Sequence, residues 1–145
     1  MRCWILATFL LAASTGFAGA SPDSDALVKY GLIGSWAVDC KKPPADDNPF
    51  QVITPSNAGE PTRQLMTGNG NHTSPTPLHD VARVDADHLR FSFTQGMAVV
   101  TVTLVKEKGR IRPTESQTGD GQVVVKDGIV VRSGQQTIWL QKCPD

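Results

Sequence analysis

Two cysteines near opposite ends of the chain, Cys40 and Cys143, place the strongest constraint on its fold. Cys40 ends the alternating run "GSWAVDC" at 34–40, and Cys143 ends the run "WLQKC" at 139–143. In an exported chain an even pair of cysteines indicates a disulfide, and two buried free thiols are the alternative. The bond requires Cα atoms within about 7 Å. Closing so long a loop stabilises a fold by up to about 4–5 kcal/mol in the chain-entropy description.

Residues 1–20 have the pattern of a cleaved signal peptide. Arg2 precedes the apolar run 3–13, and small residues at 18–20 precede a polar stretch. A membrane anchor is the alternative, but the run is shorter than the ~20 apolar residues of a spanning helix. We therefore divide the chain into a signal peptide at 1–20, a tether with a helical turn at 21–33, and one domain at 34–145. We expect a periplasmic or secreted protein with no membrane span.

From Gly34 onward the hydrophobic pattern has a period of two, which is typical of half-buried strands. The alternation is clearest in "HLRFSF" and "VVTVTL". Glycine- and aspartate-rich pairs separate the runs and predict hairpins, so neighbouring strands should pair antiparallel. In the tether, Ser24 is expected to cap the helical turn and Gly31 to end it. The predicted strands are 35–40, 50–54, 62–67, 78–84, 88–94, 97–106, 110–116, 122–125, 129–132 and 137–143.

These short strands predict an all-β fold. A disulfide between the first and last strands would place them side by side and close the sheet on itself. We therefore expect an up-and-down antiparallel barrel of about eight strands with a short N-terminal helical turn. The alternative is a two-sheet sandwich that the disulfide merely ties together.

The stretch "GSW" at 34–36, at the start of the first predicted strand, resembles the glycine-x-tryptophan motif of lipocalins and related calycin barrels. The resemblance implies that Gly34 and Trp36 lie at the barrel base, with Trp36 packed against a basic side chain from a late strand, Arg132 or Lys142. The chain is short for a lipocalin and shows no second or third lipocalin motif.

The early Trp36 and the single disulfide also resemble those of the bacterial periplasmic inhibitors of secreted metalloproteases, which are small barrels. The complete pattern from "GSWAVDC" through "KDG" to "WLQKC" is similar to a group of small exported alphaproteobacterial proteins, which brings no activity with it. We expect a binding role and no cofactor.

The sequence gives little support for catalysis or metal binding. The histidines His72, His79 and His88 are in loop-like or turn-like sequence without a ligand spacing such as HxxxH. The paired carboxylates are in turn-like sequence too, where aspartate bonds its own backbone. Once the predicted signal peptide is removed with Cys3, the disulfide would leave no free thiol, and no GxSxG motif is present. We therefore expect neither an enzyme nor a metal site.

The charges are balanced, with 14 basic and 14 acidic side chains, and aromatic residues are few, which argues against nucleic-acid binding. One basic group is concentrated around the hairpin "VKEKGRIRP" and could attract an anionic partner. A solvated hairpin tip is the alternative. The group consists of Lys106, Lys108, Arg110 and Arg112.

The inward-facing apolar residues would either fill the barrel or line a cavity. They include Trp36, Val38, Val52, Leu89, Val100 and Ile111. In the last strand, either Trp139 or its neighbours Ile138 and Leu140 are expected to face inward. As a carrier, the protein would be a monomer that holds a small apolar or amphipathic ligand. The other hypothesis is a protein-binding module, such as a hydrolase inhibitor or an envelope-complex subunit, that uses loops 41–49 or 67–77. The candidate ligand-binding residues are Phe50, Phe91, Phe93, Val102, Leu104 and Trp139.

Overall fold

The computed structural model describes residues 21–57, 59–68 and 73–144. The predicted signal peptide and His72 lie outside these residues. The described residues form one helix and eleven strands: α1 Pro22–Tyr30, β1 Gly34–Ala37, β2 Phe50–Thr54, β3 Thr62–Met66, β4 Thr76–Pro77, β5 His79–Arg83, β6 His88–Gln95, β7 Ala98–Glu107, β8 Arg110–Thr118, β9 Val123–Lys126, β10 Ile129–Val130 and β11 Leu140–Lys142. Across its described residues the chain has no helix with the length and apolar character needed to cross a bilayer.

Nine strands form one antiparallel sheet in the order β4-β3-β2-β1-β11-β8-β7-β6-β5. Its two end strands, β4 and β5, are separated in the chain by Leu78 alone. They act as one bent strand that pairs with β3 on one side and β6 on the other. The Leu78 N–H donates to the Pro61 carbonyl at 2.8 Å at this bend. The sheet is therefore a nearly closed barrel, which confirms the predicted fold class.

The first and last strands meet where the disulfide was predicted. β1 pairs with β11, with Trp36 opposite Lys142 and Ala37 opposite Gln141. Cys40 and Cys143 are bonded just beyond this pairing, with their Cα atoms 5.4 Å apart. The Cys143 N–H also donates to the Ser35 carbonyl at 2.8 Å. Backbone pairing and one covalent bond thus join the two ends of the domain.

Helix α1 begins at Ser21, whose side chain accepts a hydrogen bond from the Ser24 N–H. Pro22 at the first position and acidic residues in the first turn favour this start. Gly31 ends the helix with φ 77°, a conformation that glycine adopts without strain. The prediction of Ser24 as the cap is therefore wrong. Ser24 is instead buried, and its hydroxyl exchanges hydrogen bonds with the backbone of Ser56.

One hydrophobic core occupies the barrel and continues under α1, which covers one end. Leu27 and Leu32 are fully buried, and the Phe91 and Phe93 rings lie 6.3 Å apart. The Asp23 carboxylate accepts from the Val81 N–H at 3.0 Å and ties the helix to β5. The core consists of Leu27, Tyr30, Leu32, Trp36, Ile53, Leu78, Leu89, Phe91, Phe93, Val100, Val102, Leu104, Ile111 and Leu140.

Strand β2 has the opposite orientation to the one predicted. Gln51 and Ile53 are buried, at 8% and 1% exposure, whereas Phe50 and Val52 are partly exposed. The cause is register, because Gln51 lies directly opposite Trp36 of β1 and directly paired residues share a face of the sheet. Val38, also expected inside, is 39% exposed beyond the end of β1.

Strand β8 has two short neighbours along one edge. Strand β7 pairs along nearly the whole length of β8, so its other partners must use the opposite edge. There β11 pairs with Arg110 and Ile111, while β9 pairs with Ser116 and Gln117. The segment 131–139 connects the β9–β10 hairpin to β11. The barrel wall is therefore incomplete between β8 and β2.

Candidate functional site

An open cavity of about 320 Å³ lies at this incomplete part of the wall, exposed to solvent. Inward-facing residues of β2, β3, β8 and β11 form its inner side, and the segment after β10 forms its rim. The residues that line it are Pro49, Gln51, Leu65, Pro113, Val130, Gln135, Gln136, Thr137, Ile138 and Leu140. It is the candidate functional site of the described part of the chain.

Hydrogen bonds hold the rim of the cavity in place. The Thr137 hydroxyl donates to the Pro113 carbonyl at 2.7 Å, and its N–H donates to the Gly128 carbonyl at 2.8 Å. The Val130 N–H donates to the Gln135 carbonyl at 2.8 Å and closes the turn that follows β10. Pro113 lies at the bulge where β8 shifts register against β7. The opening is thus built by a bulge and an anchored turn.

The lining is mostly apolar and contains no charged residue. Its polar side chains are three amides and one hydroxyl. Gln51 stands apart from the other two amides because it is 8% exposed, whereas Gln135 and Gln136 are exposed. The Gln51 Nε2 is buried without a hydrogen-bond partner among the described residues. Leaving such a group unpaired costs about 1–3 kcal/mol.

None of the six predicted ligand-binding residues lines this cavity. Four of them, Phe91, Phe93, Val102 and Leu104, belong to the filled core. Phe50 is on the outer face of β2, for the reason of register given above. Trp139 contacts the guanidinium groups of Arg110 and Arg112, whose Cζ atoms lie 5.0 and 4.6 Å from its ring centroid. Its neighbours Ile138 and Leu140 line the cavity instead.

The predicted barrel base is only partly assembled as the resemblance implied. Gly34 opens β1 with φ 116°, and Trp36 is buried, with its Nε1 donating to the Leu32 carbonyl at 2.8 Å. Lys142 lies opposite Trp36 in register, but its side chain is exposed. Arg132 lies in an exposed turn after β10. Neither makes a cation–π contact with Trp36 in the described structure.

Lys106 covers an aromatic ring at the base of the barrel. Its Nζ lies 4.5 Å from the centroid of the Tyr30 ring and donates to the Tyr30 carbonyl at the end of α1. A cation at a helix C-terminus is favourable because the last carbonyl groups carry partial negative charge. The basic residue at the base is thus Lys106, which the sequence had assigned to an anionic partner.

The predicted basic group is divided among separate sites. Lys106 contacts Tyr30, Arg110 and Arg112 stack on Trp139, and Lys108 lies exposed in the β7–β8 turn with φ 49°. Equal parity along the hairpin suggested a single rim, but Lys106 packs on Tyr30, whereas Arg110 and Arg112 share Trp139.

No sequence pattern predicted a role for Arg63, which faces into the barrel opposite Ile53 of β2. Its Cζ lies 4.7 Å from the centroid of the Phe93 ring, and burial lowers its pKa. None of the ion pairs of the described residues involves it. Arg63 is two positions from Leu65 on the same face of β3, but it does not line the cavity.

The described histidines form isolated surface contacts. His79 Nδ1 lies 2.7 Å from Glu60 Oε1, and His88 Nδ1 lies 2.9 Å from Asp85 Oδ1. Hydrogen bonds from the His88 side chain and the Asp87 N–H lower the pKa of Asp85. Residues 21–57, 59–68 and 73–144 contain no group of three or more His, Cys, Asp or Glu side chains that could hold a metal ion.

The 41–49 loop is organised around one buried asparagine. Asn48 is 5% exposed, and its Nδ2 donates to the carbonyls of Asp39 and Pro43 at 3.1 and 3.0 Å. Its Oδ1 accepts from the Asp39 N–H at 2.8 Å. The loop therefore has a fixed shape.

In comparisons with known proteins, no family model, curated protein or solved structure matches this chain. The fold and the cavity define a class only, a nearly closed antiparallel β-barrel with a small apolar cavity in its wall.

Proposed function

We propose that this protein is an exported, non-enzymatic binding protein that carries a small apolar or amphipathic ligand. The observation that carries the proposal is the cavity of about 320 Å³ between β2, β3, β8 and β11. Ligand pockets span about 300–1,000 Å³ and are mostly apolar with a few polar groups. The lining fits that description at the small end of the range, so the ligand is small.

The chemistry of the lining supports binding rather than catalysis. Its side chains are aliphatic groups, prolines, amides and the Thr137 hydroxyl, which already donates to Pro113. General acid–base catalysis uses groups that exchange protons near neutral pH, such as histidine or a carboxylic acid. The lining residues include none of these.

The disulfide supports export to the periplasm or the medium, because such bonds persist in oxidising compartments. The predicted signal peptide at 1–20 supports the same location. The nearly closed barrel is compatible with the calycin-like fold that the GxW resemblance implies. We therefore place the binding function outside the cytoplasm.

The first prediction tests whether the cavity holds cargo. Native mass spectrometry of the protein purified from the periplasm of its own host should show a retained small molecule. Val130→Trp, which fills part of the cavity, should abolish retention. Val131→Trp is the matched control, because Val131 is the next residue and is 56% exposed, so it should keep the cargo. Wild-type protein without cargo, or equal retention by both variants, would contradict the proposal.

A protein-binding function is the second candidate, and the ordered 41–49 loop favours it. A loop held by Asn48 loses little conformational entropy when it binds a partner. An inhibitor of a secreted hydrolase or a subunit of an envelope complex would use such a surface. Under this candidate a partner protein is captured from the periplasm, and Asn48→Ala abolishes capture while no small molecule is retained.

A further inference from the structure

Gln51 occupies an unusual position for a long polar side chain. It faces into the barrel between Trp36 of β1 and Leu65 of β3, which lie opposite it in the two neighbouring strands. The Trp36 Nε1 is a donor that already donates to the Leu32 carbonyl, and the Leu65 side chain is apolar. Neither side chain therefore offers an acceptor to the Gln51 Nε2.

The orphaned amide belongs to the wall of the cavity. Gln51 lines the cavity, while its Nε2 is covered and has no hydrogen-bond partner in the described structure. Rotation about the terminal amide torsion is soft, so this nitrogen can turn toward the cavity without a change in the backbone. A ligand that brings an acceptor to this point satisfies a donor that the protein leaves unpaired.

We propose that Gln51 determines specificity by donating from Nε2 to a carbonyl oxygen of an uncharged, mainly apolar ligand. This inference rests on the proposed function and names the chemistry of its ligand. The ligand is uncharged because no lining residue carries a charge, so an ion would lose its hydration without a counter-ion. Arg63 does not supply one, since its guanidinium lies over Phe93 and outside the lining.

Acetophenone and α-methylstyrene test this proposal as probes. The two molecules have nearly the same shape, and a methylene group in the second replaces the carbonyl oxygen of the first. Their dissociation constants are measured by chemical-shift titration of the disulfide-bonded protein. The quantity compared is the Kd of α-methylstyrene divided by that of acetophenone. This ratio removes any effect that a variant has on binding of the apolar part that the two probes share.

The test variant is Gln51→Met, which keeps the length of the side chain and removes the amide. We expect the Kd ratio to fall about tenfold, the value of one hydrogen bond to a buried donor. Gln51→Leu should lower the Kd ratio by the same factor, and it replaces Gln51→Met in the test if the methionine variant folds poorly. The matched control is Gln136→Met, which removes an exposed amide from the rim of the same cavity and should leave the ratio unchanged.

The outcomes separate this inference from the proposed function. If the wild type binds both probes and Gln51→Met leaves the ratio unchanged, the role of Gln51 is overturned and the carrier function stands. A fall of the same size in Gln136→Met also overturns it. Tighter binding of benzoate than of acetophenone overturns the proposal that the ligand is uncharged. If neither acetophenone nor α-methylstyrene binds, the role of Gln51 is overturned, and the native mass spectrum decides the carrier function separately.

Discussion

Tyr30, at the end of α1, connects three parts of the barrel base. Its side chain is 2% exposed, and its hydroxyl donates to the Asp87 carbonyl at 2.6 Å, next to β6. Lys106 of β7 lies over its ring and donates to its carbonyl. One side chain thus fixes the helix against the β5–β6 turn and the end of β7, which closes this end of the barrel.

The titration of Tyr30 should make the fold sensitive to alkali. Burial, followed by the charges of Asp87 and Asp85, raises the pKa of Tyr30 from 10.0 to about 12. Because the folded pKa is above the unfolded one, the stabilisation is complete below pH 10 and is lost as the pH rises toward 12. Tyr30 is the only tyrosine in the chain, so phenolate absorbance reports this group alone.

Tyr30→Phe provides the comparison for urea unfolding at a series of pH values. At pH 7 the variant should be less stable by about 1 kcal/mol, because it lacks the hydrogen bond to Asp87. Between pH 10 and pH 12 it should lose less stability than the wild type, since it has no phenol to ionise. Parallel losses in the two proteins, or an unshifted phenolate titration, would show that Tyr30 is not coupled to folding.

Single residues also show why the site was harder to predict than the fold. The sequence "FQVIT" of β2 has apolar residues on both faces, so alternation alone cannot choose between Phe50 and Gln51 as the inward residue. The choice follows from pairing with Trp36, a tertiary contact. Lys106 and Tyr30 are 76 positions apart, and no local pattern connects them. The residues that face the cavity can therefore be identified only after the register of the strands is known.

At the scale of elements, the sequence predicts most of the barrel. Strict alternation located β6 and β7, and glycine-containing turns located the hairpins on both sides of β8. The short strand β4 was predicted as part of the 67–77 loop, because Thr76 and Pro77 do not show alternation, and the predicted strand 78–84 covers only the bend and β5. The region 137–143 was predicted as one long strand, but only Leu140–Lys142 pairs with the sheet beside β1. Because the observed strand is shorter than the predicted one, the barrel wall stays open at the cavity.

The seam between β1 and β11 should depend strongly on its disulfide. Only two residue pairs are in register across it, while the bond links positions 103 residues apart. The double variant Cys40→Ala, Cys143→Ala should lower the free energy of unfolding by up to about 4–5 kcal/mol, because the unfolded chain regains its loop entropy. Far-UV circular dichroism should keep its β-sheet signature, since the backbone pairing remains.

The matched control for the seam is reduction of the wild type. Chemical denaturation in the presence of a reductant should bring the wild type to the stability of the double variant, which has no bond to reduce. A double variant that unfolds like the oxidised wild type would show that backbone pairing alone holds the seam. Loss of the β-sheet signal would show that the bond is needed for the fold itself.

At the scale of the whole molecule, the barrel has a long-paired side and a short-paired side. Strand β7 shares eight residue pairs with β6 and eight with β8, and its inward residues, Val100, Val102 and Leu104, belong to the core. On the other side, β11 shares two pairs with β1 and two with β8. The cavity adjoins this short-paired side, so the part of the barrel that would admit a ligand is also a part where few backbone residues are paired.

This asymmetry predicts the order in which backbone amides exchange with solvent. Amides of β7 and of its neighbours should exchange slowest, because they open only when the whole barrel unfolds. Amides of β11 should exchange faster through local opening, and acetophenone should slow them by favouring the closed barrel. Native-state hydrogen exchange followed by NMR measures both effects. If the amides of β11 were as protected as those of β7 without ligand, local opening of this seam would be as rare as global unfolding. The ligand would then have to enter the cavity by a route other than opening of β11.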